Sequence, residues 1–98
     1  MLALASILRD EAEVLDALVN EVLGGREEIE LKRLRALPVA MQKLVVQRLA
    51  DGAAGGPAPG VARRAQEIAA MGPSALLDLP YVRARTERGV VSFETMKQ

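Results

Sequence analysis

The sequence predicts a mainly α fold, a small helical domain of about four helices that closes with a C-terminal β-hairpin. Two observations support this prediction. Apolar residues recur at three- and four-residue spacing through most of the first 72 residues, as they do on one face of a helix. From residue 76 onward the pattern changes to the alternation that is typical of strands. With 98 residues in all, we expect residues 1–98 to form a single domain.

Residues 3–23 are predicted to form one amphipathic helix, and we treat residues 1–25 as a connecting helix with its stop signal. Leucine, isoleucine and valine spaced three or four residues apart make an apolar stripe, which we expect to pack on the core. The stripe consists of Leu4, Ile7, Leu8, Leu15, Leu18, Val19 and Val22. Gly24 and Gly25 end the helix, because glycine readily adopts the left-handed conformation found at helix C-termini.

A pair of helices is predicted over residues 26–51. The first is marked by Leu31, Leu34 and Leu37. Pro38 separates the two, because proline disfavours helix at the residue before it and suits the first turn of a new helix. The second helix is expected to end near Asp51 and Gly52. Its inward-facing residues are expected to be Met41, Leu44, Val45 and Leu49.

Residues 52–60, GAAGGPAPG, contain only glycine, alanine and proline. Such a segment buries little, and we expect a flexible loop. Its glycines lack the lysine and the serine or threonine of a phosphate-binding loop, so no nucleotide site is predicted there. One more short helix is predicted over residues 61–72. Its inward-facing residues are expected to be Val61, Ala65, Ile68 and either Met71 or Ala69.

The last predicted element is a β-hairpin over residues 76–94, LLDLPYVRARTERGVVSFE. A two-residue turn at Arg88 and Gly89 gives the hairpin one apolar face and one polar face. A four-residue loop would leave the same residues on each face. The apolar face would hold the pairs Thr86–Val91, Ala84–Phe93 and Val82–Thr95. The polar face would hold the pairs Arg85–Ser92 and Arg83–Glu94. Because a lone hairpin is marginal in water, its apolar face must pack on the helices or on further chain.

The composition excludes several kinds of chemistry. The chain has no cysteine and no histidine, which excludes disulfides, Cys/His zinc sites and histidine-based catalysis. Asp10, Glu13 and Asp16 lie on an acidic predicted helix, where a solvated surface is expected rather than acid/base catalysis. We therefore expect no catalytic, cofactor or metal site in this chain. The apolar N-terminal stretch is too short to span a membrane, and we expect a cytoplasmic protein.

The order of these pieces resembles the region that follows the catalytic domain in bacterial tRNA(Ile)-lysidine synthetases. The resemblance lies in the helix LASILRDEAEVLDALVNEVL, the run IELKRLRALPVAMQKLVVQRL and the closing segment LDLPYVRARTERGVVSFE. The family's middle pattern is matched by Ile29, Leu31, Leu34, Leu37, Pro38, Ala40 and Val45, and its last pattern by Asp78, Leu79 and Pro80. The chain departs from the family at Tyr81 and Val82, where members often have glycines.

The resemblance implies a role in tRNA modification. Enzymes of this family use ATP to join lysine to an anticodon cytidine of tRNA(Ile). Catalysis belongs to an N-terminal ATP-pyrophosphatase domain with an SGGxDS-type loop, a motif that this sequence lacks. The resemblance therefore implies a tRNA-holding accessory domain. Its partners would be tRNA and the N-terminal catalytic domain of the parent protein, which would bind the ATP, so this chain alone is not expected to be catalytic.

Positive charge is the basis for choosing the residues that would contact RNA phosphates. Such contacts position the RNA without reading its sequence. The candidates are Arg33, Arg35, Lys43, Arg48, Arg63, Arg64, Arg83, Arg85 and Arg88. The three hairpin arginines, at 83, 85 and 88, are preferred, because spaced guanidinium groups on one face match phosphates well.

An alternative to the RNA-holding domain is a free-standing helical protein–protein interaction module. Residues 1–24 carry a net charge of −4 and the rest of the chain +4. In this alternative the acidic helix over residues 3–23 docks a partner helix.

Overall fold

The structure, a computed structural model, describes the backbone of residues 4–95 and the side chains of residues 13–95. The helices are α1 (Leu4–Leu23), α2 (Leu31–Ala36), α3 (Val39–Ala54) and α4 (Ala65–Ala69), with a 3-10 turn at Ala62–Arg64 that leads into α4. The strands are β1 (Glu28–Glu30), β2 (Leu76–Asp78), β3 (Val82–Glu87) and β4 (Val90–Thr95).

The prediction of a mainly α fold with one hairpin is wrong, because the strands form a four-stranded antiparallel sheet and the fold is mixed α/β. The strand order is β1-β4-β3-β2, so the predicted hairpin is only the central pair. The two outer strands have three residues each, too few for alternation to be recognised in the sequence. They become strands because the hairpin edges offer unpaired backbone groups, so tertiary context overrides their weak local preference.

The register predicted for the hairpin is confirmed, with Thr86 opposite Val91, Ala84 opposite Phe93 and Val82 opposite Thr95. Both turn residues have positive φ, 53° at Arg88 and 77° at Gly89. Two consecutive residues with positive φ define the type I′ turn, whose twist matches that of the flanking strands.

The core lies between the apolar face of the sheet and helices α2, α3 and α4. Its fully buried side chains include Leu34, Val45, Val46, Ile68, Val82, Ala84 and Val91. Besides Gln42, at 7% exposure, the described part of the chain buries one further polar residue, Thr86, at 3%. Its hydroxyl donates to the Gly72 carbonyl at 2.6 Å and accepts from the Ala75 N–H at 2.7 Å, so it is satisfied and ties the 72–75 loop to β3.

Helix α1 confirms the predicted helix, but its apolar stripe is only partly covered. Val19 and Leu23 are buried, whereas Leu15 and Leu18 are 41% and 42% exposed, contrary to the expected core packing. The predicted stripe positions Leu4, Ile7 and Leu8 lie outside the residues whose side chains are described.

The segment after α3 differs from the flexible loop predicted over residues 52–60. Helix α3 continues to Ala54, and Gly55 ends it with a φ of 74°. Ala58 is 1% exposed, contrary to the expectation that this segment buries little. Its N–H donates to Asp51 Oδ1 at 2.9 Å, and its carbonyl accepts from Gln47 Nε2 at 2.7 Å. These bonds come from α3, so the composition of the loop did not reveal them.

Candidate functional site: a basic cleft

A cleft of about 530 Å³ opens between the β1–α2 junction and the turn that joins β3 to β4. It is lined by five cationic side chains, Arg26, Lys32, Arg33, Arg35 and Arg88. Two carboxylates, Glu28 and Glu30, also line it, which leaves a net charge of +3. We refer to this feature as the basic cleft.

Backbone hydrogen bonds hold the two walls of the basic cleft together. The N–H of Leu31, the first residue of α2, donates to the Gly89 carbonyl at 2.8 Å. The Gly89 N–H donates to the Pro73 carbonyl at 3.1 Å. The turn that carries Arg88 is therefore fixed between α2 and the loop before β2.

The cations of α2 are exposed because its apolar residues are buried. Leu31 and Leu34 lie three residues apart, share one face of the helix and are buried. Lys32 and Arg33 occupy other faces and are exposed. Within residues 13–95, no ion pair forms at Lys32, Arg33, Arg26 or Arg88. These four cations retain their donors for an anion that enters the cleft.

Arg35 also lines the basic cleft, but its guanidinium donates hydrogen bonds to backbone carbonyls of the same chain. Its Nε donates to the Ala69 carbonyl at 2.6 Å and a terminal nitrogen donates to the Met71 carbonyl at 2.8 Å. These carbonyls lie at the end of α4 and just beyond it. Arg35 therefore supports the wall of the cleft, and two of its donors are already used within the chain.

Arg83 and Arg85, two of the preferred candidates, lie on the outer face of the sheet beside carboxylates. Arg83 donates to Asp78 Oδ1 at 2.7 Å, and this hydrogen bond raises the pKa of Arg83. Arg85 lies 3.7 Å from a carboxylate oxygen of Glu87. Glu94 lies 3.9 Å from Arg83 and 4.0 Å from Arg85. By strand register, the carboxylates that share this face are Glu28, Glu30, Asp78, Glu87 and Glu94. The five carboxylates outnumber the two arginines.

Two further candidates, Arg48 and Arg64, also have acidic or amide partners. Arg48 donates to Asp16 and to Asn20, which joins α3 to α1. Arg64 forms a bidentate pair with Glu67, at 2.7 and 3.0 Å, and this pair lowers the pKa of the Glu67 carboxyl.

Lys43 and Arg63 are exposed and form no ion pair within the described side chains. Neither lines the basic cleft. Of the nine candidates, Arg33, Arg35 and Arg88 line the basic cleft, and the last is the only one of the three preferred hairpin arginines to do so. The six candidates outside it are Lys43, Arg48, Arg63, Arg64, Arg83 and Arg85.

Sequence reasoning missed Arg26 and Lys32, which the structure brings to the cleft with Arg33 and Arg88. The run REEIELKRLR, residues 26–35, carries four cations and three carboxylates, so its net charge is only +1 and gives no clear signal. The signal that could have separated exposed from core residues in this run is the spacing of its apolar residues, Ile29, Leu31 and Leu34, all of which are buried.

Chemically, the cleft offers cationic N–H donors, which suit phosphate or another oxyanion. Within the described part of the chain there is no group of acidic side chains arranged to hold a metal ion. Among the described helices, none combines the length and the apolar character needed to cross a membrane.

Comparison with known proteins found no matching family model, no matching curated protein and no matching solved structure.

Proposed function

We propose that this chain is a tRNA-holding accessory domain of a tRNA(Ile)-lysidine synthetase. The observation that carries the proposal is the basic cleft, where Arg26, Lys32, Arg33 and Arg88 surround one concavity without ion-pair partners among the described side chains. The resemblance of the ordered sequence segments to that family supports the phosphate backbone of tRNA as the anion.

In this proposal the cleft positions the tRNA and does not read its sequence. Arginine and lysine contacts to phosphate release counterions, so they supply affinity that falls with salt. They fix register and orientation rather than base preference. We place the RNA contact on the basic cleft rather than on Arg83 and Arg85. Arg83 already donates to Asp78, and Arg85 lies within 4.0 Å of carboxylates of Glu87 and Glu94, so phosphate would meet negative charge on that face.

The chemistry belongs elsewhere in the proposed parent protein. Its N-terminal catalytic domain would bind ATP and attach lysine to the anticodon cytidine, while the present chain holds the tRNA. The proposal includes a cytoplasmic location, and the absence of cysteine fits a reducing compartment.

A salt titration of binding to a tRNA(Ile) transcript tests the proposal. The cleft variant combines Lys32→Gln, Arg33→Gln and Arg88→Asn, where asparagine is chosen because it tolerates the left-handed backbone at that position. Removing one cation from a phosphate should reduce the slope of log affinity against log salt by about 0.7 to 0.9, so the three substitutions together should reduce it by about 2.1 to 2.7.

The matched control variant is Arg83→Gln with Arg85→Gln, which removes two arginines from the outer face of the sheet. Its slope and affinity should stay close to those of the unaltered chain. If the control loses affinity and the cleft variant does not, the RNA contact lies on the sheet. If neither variant changes an observed affinity, the basic cleft is not the RNA site.

A further inference from the structure

A second cavity, of about 460 Å³, lies between the end of α1, the loop before β1 and helix α3. Leu23 and Leu49, which line it, are buried, and the half-buried side chain of Phe93 adds aromatic surface. Ala53 completes the apolar part of the lining. We refer to this cavity as the aromatic pocket.

Polar side chains also line the aromatic pocket. Arg48 is one of them, and it donates to Asn20 Oδ1 and to Asp16, which holds α3 against α1. Arg26 and Glu27 line the pocket too, and neither forms an ion pair with any side chain of residues 13–95. Their opposite charges leave the lining without excess charge, so the pocket suits a neutral group with polar edges better than a phosphate.

The aromatic pocket and the basic cleft meet at Arg26, which lines both cavities. A ligand that occupies both therefore needs an anionic part joined to a neutral part. An unpaired nucleotide of RNA has this chemistry, because its phosphate is charged while its base offers a flat face for stacking and hydrogen-bonding edges. An acyl chain with an anionic head group offers no hydrogen-bond partner to Asn20 or Glu27 in the pocket.

Gly52, near the end of α3, also lines the aromatic pocket. Glycine inside a helix is less favourable than alanine. A Cβ added at Gly52 would meet no atom within 4 Å, so the structure shows no packing reason for glycine at this position. The missing side chain leaves space for a ligand to approach the helix backbone closely.

We propose that the aromatic pocket holds one unpaired base of the RNA whose phosphates lie in the basic cleft. The base packs against Phe93 and the apolar lining, and Arg26 contacts the phosphate where the two cavities meet. This inference rests on the proposed RNA-holding function and adds a preference to it: the domain selects RNA that has an unpaired nucleotide.

The test compares two fluorescently labelled RNA hairpins by anisotropy titration. One carries a single bulged adenosine, and the other carries an abasic ribose at the same position, so the two RNAs have the same number of phosphates. The unaltered chain should bind the adenosine hairpin about five- to a hundredfold more tightly, which is the range for one stacked base. The salt dependence of the two affinities should be equal, because the phosphate contacts are the same.

Gly52→Leu fills the aromatic pocket without changing the charge of the chain. It should remove the preference for the adenosine hairpin and leave the affinity for the abasic hairpin unchanged. The matched control is Gly56→Leu, which adds the same side chain outside the pocket, where a Cβ also meets no atom within 4 Å. This control should keep the preference, and circular dichroism checks that both variants fold.

A second measurement needs no substitution. The bulged adenosine is replaced by 2-aminopurine, whose fluorescence changes when its stacking changes. Binding of the unaltered chain should change this fluorescence, and an excess of the unlabelled adenosine hairpin should reverse the change, whereas the same excess of the abasic hairpin should reverse it less.

The outcomes separate this inference from the proposed function. Equal affinity of the unaltered chain for the two hairpins, with strong salt dependence, would overturn the base-binding pocket and leave RNA holding in place. Binding of neither hairpin would overturn both. A preference that survives Gly52→Leu would place the base elsewhere. Competition by adenosine monophosphate at the concentration at which the adenosine hairpin competes would make a free nucleotide the ligand.

Discussion

The backbone N–H of Leu31 donates to the carbonyl of Gly89 at 2.8 Å, which joins the start of α2 to the turn of the hairpin. This bond brings Arg88 beside Lys32 and Arg33, although the two segments are distant in the sequence. The basic cleft therefore depends on the conformation of a two-residue turn.

The first prediction concerns that turn. Gly89 has a φ of 77°, and a Cβ added there would meet no atom within 4 Å, so backbone strain alone opposes a side chain. Gly89→Ala should lower the free energy of unfolding by about 1 to 2 kcal/mol. Gly89→Asn should cost less, because asparagine tolerates the left-handed region. Urea denaturation of the two variants measures the difference, and equal stability of both with the unaltered chain would contradict a type I′ turn.

The second prediction concerns Phe93, which lies on the inner face of β4 and packs against the core. Phe93→Ala should lower the free energy of unfolding by about 2 to 4 kcal/mol, since it leaves a cavity beside α3. The control is Tyr81→Ala, the other aromatic residue, which is 58% exposed and should cost less than about 0.5 kcal/mol. Similar losses in the two variants, measured by chemical denaturation, would argue against the packing of Phe93.

The third prediction concerns the buried hydroxyl of Thr86. Thr86→Val keeps the shape of the side chain but leaves the Gly72 carbonyl and the Ala75 N–H without this partner. The expected loss in the free energy of unfolding is about 1 to 3 kcal/mol. Thr95→Val is the control, since Thr95 is exposed and water can replace its bond to the Ala53 carbonyl. A larger loss at Thr95 than at Thr86 would contradict this assignment.

A fourth prediction concerns the segment after α3. The Ala58 N–H donates to Asp51 Oδ1, so this amide should exchange with solvent slowly compared with an unbonded amide. Asp51→Ala should accelerate its exchange, whereas Asp78→Ala, which removes an exposed carboxylate on β2, should not. Hydrogen exchange followed by NMR makes the comparison. Fast exchange at Ala58 in the unaltered chain would support the original prediction of a flexible loop over residues 52–60.

The fifth prediction concerns pH. The pair with Arg64 lowers the pKa of the Glu67 carboxyl in the folded chain. This pair therefore favours the folded state above the unfolded pKa of Glu67, and the contribution is lost as pH falls through the lowered folded pKa. NMR titration should find that pKa below its usual range, and Arg64→Gln should raise it. An unchanged pKa in that variant would rule out Arg64 as the cause.

Local patterns in the sequence determined where several elements lie. The spacing of apolar residues indicated α1 and placed Val61, Ala65 and Ile68 in the core, and the structure buries both of the alternatives Met71 and Ala69. Alternation from Val82 onward determined the hairpin register, because a slip of one residue would have mixed its apolar and polar faces. These predictions succeeded because the period of a long pattern is itself the signature of the element.

Only the tertiary structure decided the sheet, the basic cleft and the exposed part of the apolar stripe on α1. Strands β1 and β2 are too short to carry a pattern, and they form because the hairpin edges pair with them. Arg83 and Arg88 look alike in the sequence, yet the first meets Asp78 across a strand pair and the second reaches the cleft through its turn. An apolar stripe has the same pattern in the sequence whether or not another element packs on it. Each of these outcomes depends on contacts between distant segments, and local periodicity does not encode such contacts.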